Sequence, residues 1–169
     1  YGNSTTTPFD VSDLETAKKV LLALCETVGA RLRMDDFQAK VISIGIKNFD
    51  LKYSSHQMIM KNATNITIEL YHYSCELFQQ LWDGRTPIRH LAIHTSSLSS
   101  GVSGRQMDLF DVTDYVRLEK LDKTVDAIRN RYGKDVLKRA AFIQVKGTDT
   151  KLQSIDHMEG GVSREKRSV

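Results

Sequence analysis

Two groups of residues in this 169-residue chain have types and spacing that can do chemistry, and the chemistry is binding. The first is Gln106-Met107-Asp108-Leu109-Phe110, set just past residues 96–104, a stretch of Ser, Leu, Val and Gly that reads as a flexible linker. Gln106 suits a polar socket, and Leu109 with Phe110 suits an apolar pocket. Burying each of the two apolar side chains yields about 1.5–3 kcal/mol, enough for weak docking. The second group is Arg31, Arg33 and Lys47. Strand periodicity places them among small and polar residues on one sheet face, where a phosphate backbone could lie close.

Nothing in the sequence offers a reaction centre. Asp35-Asp36 is the only adjacent acidic pair and falls at a bend, whereas two-metal phosphoryl transfer needs carboxylates converging from separate elements. The histidines at 56, 72, 90, 94 and 157 have no Cys or His companions at ligand spacing. His90 and His94 are four residues apart on a strand, about 13 Å at ~3.3 Å per residue, too far to share a metal. There is no Gly-rich phosphate loop and no Ser/His/Asp signature. Cys25 and Cys75 both fall on apolar stripes, as reduced core thiols do.

The elements that must hold these residues follow from the pattern. Ser12-Asp13-Leu14-Glu15 reads as a capping box opening a helix, with Leu14, Ala17, Leu21, Leu24, Cys25 and Val28 at helical spacing and Gly29 as its stop. A second helix is expected from Thr64-Asn65 to Trp82. Period-two patterns predict strands at 31–34, 39–47, around 54–61 and at 88–95, and Ser4–Thr7 starts the chain as an extended stretch. In 39–47, Ile42, Ile44 and Ile46 point one way, and Val41, Ser43, Gly45 and Lys47 the other. In 88–95, Leu91 and Ile93 oppose His90, Ala92 and His94. In 31–34, Leu32 and Met34 oppose Arg31 and Arg33. The expected class is α+β: an antiparallel sheet in strand-helix-strand-strand-helix-strand order, with two helices on one face and the other face open. Leu118, Leu121, Val125, Ile128 and Tyr132 then mark an appended amphipathic helix, which needs a surface, either its own domain or a second copy.

Composition adds boundaries. Hydrophobic content of 40% and charged content of 27% are those of a globular protein. No apolar run approaches the roughly 18 residues of a membrane span, and no signal peptide opens the chain, so a cytoplasmic protein without a membrane partner is expected. The start at Tyr1-Gly2 points to a piece of a longer protein. Residues 1–100 carry ten Lys/Arg and ten Asp/Glu, so the net charge of +3 arises beyond them and bulk charge does not establish nucleic-acid binding.

Taken in order, Ser4-x-Thr6, Val28-x-x-Arg31-Leu32-Arg33, Ala39-x-x-Ile42-Ser43-Ile44-x-Ile46-Lys47, Asp50, Ser54-Ser55-His56-Gln57, Thr64-Asn65, Leu77-Phe78-x-x-x-Trp82-x-Gly84, Pro87-Ile88-Arg89 and the pentapeptide at 106–110 resemble the C-terminal part of Y-family translesion DNA polymerases, the bacterial DNA polymerase IV-like proteins above all. The resemblance covers about residues 1–142. It implies that 1–98 is the little finger, which lies against primer–template duplex DNA, and that 99–115 is a linker holding a sliding-clamp (beta clamp) motif. A helical extension at 116–143 and a polar, flexible tail at 144–169 follow. Carried over by motif, Ser4, Thr6, Arg31, Arg33, Lys47 and Ser55 would face DNA. Gln106, Met107, Leu109 and Phe110 would engage the clamp, Met107 replacing the family's usual leucine. The resemblance also implies that the magnesium-binding carboxylates lie in a palm domain elsewhere in the parent protein, so this fragment needs no cofactor and is inactive alone. Two other classes share parts of the pattern. One is an RNA-binding module, which would stack bases on strand aromatics that the expected open face lacks. The other is a protein-binding adaptor using the pentapeptide and the 118–132 helix, with self-association through that helix as its sharper form.

Overall fold

The computed structural model describes residues 1–100 and 112–142. Strand β1 (Gly2–Val11) is followed by helix α1 (Leu14–Met34), strands β2 (Phe37–Asn48) and β3 (Tyr53–Thr64), helix α2 (Thr67–Leu81) and strand β4 (Ile88–Ser100). Helix α3 (Tyr115–Tyr132) and two short 3-10 turns, Lys134–Val136 and Ala140–Phe142, come after. The four strands form one antiparallel sheet in the order β1-β4-β2-β3. This is the α+β architecture the periodicities imply.

The isoleucine face of β2 builds the core. Ile42, Ile44 and Ile46, with Leu91 and Ile93 of β4, pack under Leu21, Leu24, Val28 and Leu32 of α1 and Leu70, Leu77 and Phe78 of α2. Each fully buried Leu, Ile or Phe contributes about 1.5–3 kcal/mol relative to an exposed one. Met60 of β3 closes the edge of this core at 1% exposure. Cys25 lies between the helices with its Sγ 3.4 Å from Ser74 Oγ, and burial pushes its thiol up to about 12, so it stays a neutral thiol. Register slips once in β1, between Thr6 and Val11, where Pro8 can give no ladder hydrogen bond. Among the described residues no helix is long and apolar enough to cross a membrane.

Five sequence expectations are corrected. Asp13, not Ser12, caps α1, accepting from the Thr16 amide at 2.7 Å. Gly29 does not end that helix. A Cβ there would stand 3.0 Å from Thr67 Oγ1 and 3.3 Å from the Asn65 carbonyl, so glycine is needed for close packing on the start of α2. The helix runs on to Met34, so Arg31 and Arg33 lie in its last turn, where they complement the helix dipole, and there is no strand at 31–34. Finally, Ser96–Ser100 are not linker. They extend β4, because β2 begins at Phe37 and offers ladder partners as far as the Phe37–Ser100 pair. The second helix is also shorter at its start than expected: Thr64 Oγ1 accepts from the Ile66 amide and donates to Glu69, and Asn65 Nδ2 donates to the Phe37 carbonyl.

Helix α3 starts on an Asp114 cap and ends at Gly133, whose φ of 98° suits glycine. It docks on its own domain, on the helix side of the sheet, and ion pairs set the docking. Arg33 grips Asp126 through Nε at 2.6 Å and Nη2 at 3.1 Å, and reaches Asp122 through Nη1 at 3.1 Å. The same Nη1 donates to the Asn65 carbonyl and to Thr67 Oγ1. Asp122 in turn accepts from the Thr67 amide at 2.7 Å, so α3 supplies the carboxylate cap that Ile66 cannot give α2. Arg129 and Arg139 both pair with Glu26 of α1. Of the apolar stripe, Leu118, Val125 and Ile128 are half-buried, while Leu121 and Tyr132 remain exposed.

Candidate nucleic-acid interface

Residues directly opposite in an antiparallel ladder share a face, so the register defines the open side of the sheet. Three rows cross it: Thr6–His90–Lys47–Tyr53, Ser4–Ala92–Gly45–Ser55 and Gly2–His94–Ser43–Gln57. At a strand spacing of about 4.8 Å each row spans ~14 Å, and rows follow one another every ~7 Å. These positions hold hydroxyls, two imidazoles, one amide and one ammonium group, and no carboxylate. Such a surface is flat, donor-rich and free of charge repulsion towards a polyanion.

Of the residues expected to face DNA, Ser4, Thr6, Lys47 and Ser55 stand on this surface together. Arg31 and Arg33 do not. Their positions in α1 put both on the helix side: Arg31 Nη1 donates to the Gly2 carbonyl at the sheet's edge, and Arg33, with a side chain 5% exposed, is committed to Asp122 and Asp126. An arginine so buried and held by two carboxylates is turned away from any phosphate on the open face. Gln106, Met107, Leu109 and Phe110 lie outside the described residues.

Tyr53 is the residue sequence reasoning missed. It pairs with Lys47, is 61% exposed, and its ring lies over Gly45: a Cβ at 45 would meet the Tyr53 hydroxyl and stand 2.9 Å from Cζ. The open face therefore does carry an aromatic ring. The signal was present in the alternation, since Tyr53, Ser55 and Gln57 share a period-two register, but the edge position of β3 left its inward face without an apolar pattern to read. His90 shares a 3.2 Å hydrogen bond with Thr6 Oγ1 through Nδ1. Partial burial lowers its pKa, and so does Lys47 opposite; burial first, then the Tyr1 amino group, lowers that of His94. Among the described residues no three His, Cys, Asp or Glu side chains are grouped to hold a metal ion.

Residues 1–109 match the impB/mucB/samB family C-terminal domain. A curated relative, DNA polymerase IV of Clostridium acetobutylicum, is 39% identical over 142 residues, covering 84% of this chain and 35% of that protein. DNA polymerase IV of Alkaliphilus oremlandii is 34% identical, covering 84% of this chain and 37% of its own length. The chain thus spans little more than a third of these relatives. Among solved structures, Dbh DNA polymerase in a post-insertion binary complex shares the fold, with a TM-score of 0.53 and 16% identity over 60% of this chain and 29% of that one. The chain belongs to the impB/mucB/samB family, and its residues 1–109 are that family's C-terminal domain.

Proposed function

We propose that this chain is the DNA-holding and clamp-tethering part of a lesion-bypass DNA polymerase used in DNA damage tolerance in the bacterial cytoplasm. The observation that carries the reading is the open face, whose three rows hold no acid and on which Ser4, Thr6, Lys47 and Ser55 converge. Hydroxyls and backbone amides position a phosphodiester backbone without reading its sequence, as a polymerase that must accept any primer–template requires. Arg31 reaches the rim of the same face from the helix side; Arg33 is withdrawn from the contact set. One lysine on the face implies modest affinity with a shallow salt slope.

The polymerase reaction belongs to the parent protein. Its magnesium would be held by carboxylates outside this chain and would supply charge stabilisation for nucleotidyl transfer, while this domain keeps the duplex in place. Gln106, Met107, Leu109 and Phe110 serve as the tether to the sliding clamp. Two weak attachments, one to DNA and one to the clamp, reinforce each other through effective concentration.

Fluorescence anisotropy with a labelled duplex tests the first half. Binding should weaken as salt rises, and Lys47→Ala should reduce the slope of log K against log salt by about 0.9, one phosphate's worth. A slope unchanged by that substitution refutes the face. For the second half, a Leu109→Ala, Phe110→Ala variant should lose binding to an immobilised clamp while keeping its DNA affinity. Tyr53 favours one other reading, base stacking on single-stranded RNA. Preference for single-stranded RNA over duplex DNA, abolished by Tyr53→Ala, would establish that alternative.

A further inference from the structure

We propose that His90 and His94 are phosphate-binding residues of the open face that engage the nucleic-acid backbone in the imidazolium form, so that DNA binding draws protons onto the protein. The inference rests on the DNA-binding reading of that face and adds a chemistry to it. Both histidines stand on β4, a central strand, so their side chains lie in the middle of the three rows. The His94 ring projects over β1, where a Cβ at Gly2 would come within 2.9 Å of its Nδ1. The His90 ring is oriented by Thr6 Oγ1 at 3.2 Å on Nδ1, which leaves Nε2 for a ligand. Four residues of strand separate the two by about 13 Å, so each would meet a different phosphate.

The surroundings explain why a ligand is needed to charge them. Facing His90 are Lys47 on β2 and, one strand further, Tyr53 on β3; Arg89, next to it in β4, is paired with Asp10 of β1 and lies over the Phe49 ring. Facing His94 are the amino group of Tyr1 and the hydroxyl of Ser43, with Arg31 and Asp35 at the adjacent edge on the helix side. No carboxylate stands in the three rows to favour the charged imidazoles, and partial burial together with nearby positive charge disfavours the charged form of both in the free protein. A phosphate placed against either ring reverses that balance. Because the bound state then holds more protons than the free state, affinity rises as pH falls through neutrality. Lysine and arginine stay charged, and backbone phosphates stay ionised, across the same range, so the groups that respond are the imidazoles and the Tyr1 amino group, whose pKa burial lowers. Replacing the histidines separates the two.

The test is duplex-DNA affinity of the chain between pH 8 and pH 6 at constant ionic strength, with imidazole NMR titrations run with and without DNA. Wild-type affinity should rise roughly fivefold or more over that range. His90→Gln with His94→Gln should flatten the profile, while His56→Gln with His72→Gln should keep the wild-type slope. In the NMR experiment DNA should move the His90 and His94 titrations to higher pH. Measurable binding with a slope shared by wild type and the His90/His94 variant would overturn the inference and leave the DNA-binding face standing, as would imidazole titrations that DNA does not move. Absence of duplex binding at every pH would overturn both.

Discussion

Replacing Arg33 with methionine should undock α3 and leave DNA binding intact. The perturbation is sharp because Arg33 and Asp122 have side chains only 5% and 8% exposed, and Asp126 only 20%. Methionine keeps most of the stem's volume but removes the shared cation, leaving Asp122 with only Arg139 at 3.7 Å and Asp126 without its arginine. Breaking a buried pair from one side costs about 3–5 kcal/mol when the orphaned charge must stay buried. Here there is an escape: α3 can lift away and return Asp122 and Asp126 to water. An isolated helix of this length is marginal in water, so a detached α3 should also fray. The cost is therefore limited to the docking free energy of α3, and the core between the sheet and the first two helices should keep most of its stability. Amide hydrogen exchange reads this directly. Protection across Tyr115–Tyr132 should collapse and the Thr67 amide, which donates to Asp122, should lose protection with it, while Ile42–Ile46 exchange as in the wild type. Duplex affinity should change by less than about twofold, since Arg33 lies on the side of the sheet away from the open face. Wild-type protection of α3 in the variant would refute the ionic account of docking. A large loss of DNA affinity would return Arg33 to the interface.

Ile44 is fully buried in the middle of the sheet, and Ile44→Ala should cost about 2–5 kcal/mol in urea denaturation, with a value under about 1 kcal/mol arguing against a packed core there. The Asp83 carboxylate, which accepts from Thr86 Oγ1 and from the Arg85 and Thr86 amides, is held down at about 2. Its stabilising effect is present above the ordinary carboxylate value near about 4 and is lost as pH falls through about 2, so Asp83→Asn should flatten that part of the stability profile; parallel profiles would refute it. Ser55→Glu puts a carboxylate on the open face, whereas Gln79→Glu adds the same charge to the exposed side of α2. At about 6 Å from a phosphate the new charge costs about 0.7 kcal/mol, and the lost hydroxyl contact about 1 kcal/mol more, so anisotropy should show roughly fifteen- to twentyfold weaker DNA binding for the first and no change for the second. Equal losses would mean that net charge, not the face, controls binding.

Much of the fold was legible because one face of each strand had to be apolar. The alternation of Ile42, Ile44 and Ile46 against Ser43, Gly45 and Lys47 determined both the buried side and the open side, and the burial pattern follows it. The helix–strand boundary at 29–34 was misread for a physical reason: glycine usually ends a helix, and Arg-Leu-Arg-Met alternates as a strand does. Only the approach of Thr67 and Asn65 to Gly29 shows that its missing side chain serves packing. The same error placed two arginines on the wrong side of the sheet. The ionic cluster of Glu26, Arg33, Asp122, Asp126, Arg129 and Arg139 was illegible because its hydrogen-bonded partners lie 89 to 113 residues apart in sequence and carry no local pattern.

The balance of charges in residues 1–100 concealed an arrangement that matters for binding. None of the acids there stands in the three rows that cross the open face. Asp10 is paired with Arg89 where β1 slips register, Asp13 caps α1, and Glu15 follows in its first turn. Glu26 is held by Arg129 and Arg139, Asp35 and Asp36 form the bend after α1, and Asp50 lies in the β2–β3 turn. Glu69 bonds Thr64, Glu76 lies on α2, and Asp83 organises the turn before β4. The basic residues are not mirrored in this way, since Lys47 remains on the sheet face with the imidazoles beside it. Over a Debye length of about 8 Å, a phosphate lying on the sheet senses that local set and little of the acids at the turns and on the helices. On the proposed reading, a domain with no net charge holds a polyanion by one surface, weakly enough that the DNA can be released and gripped again as it moves.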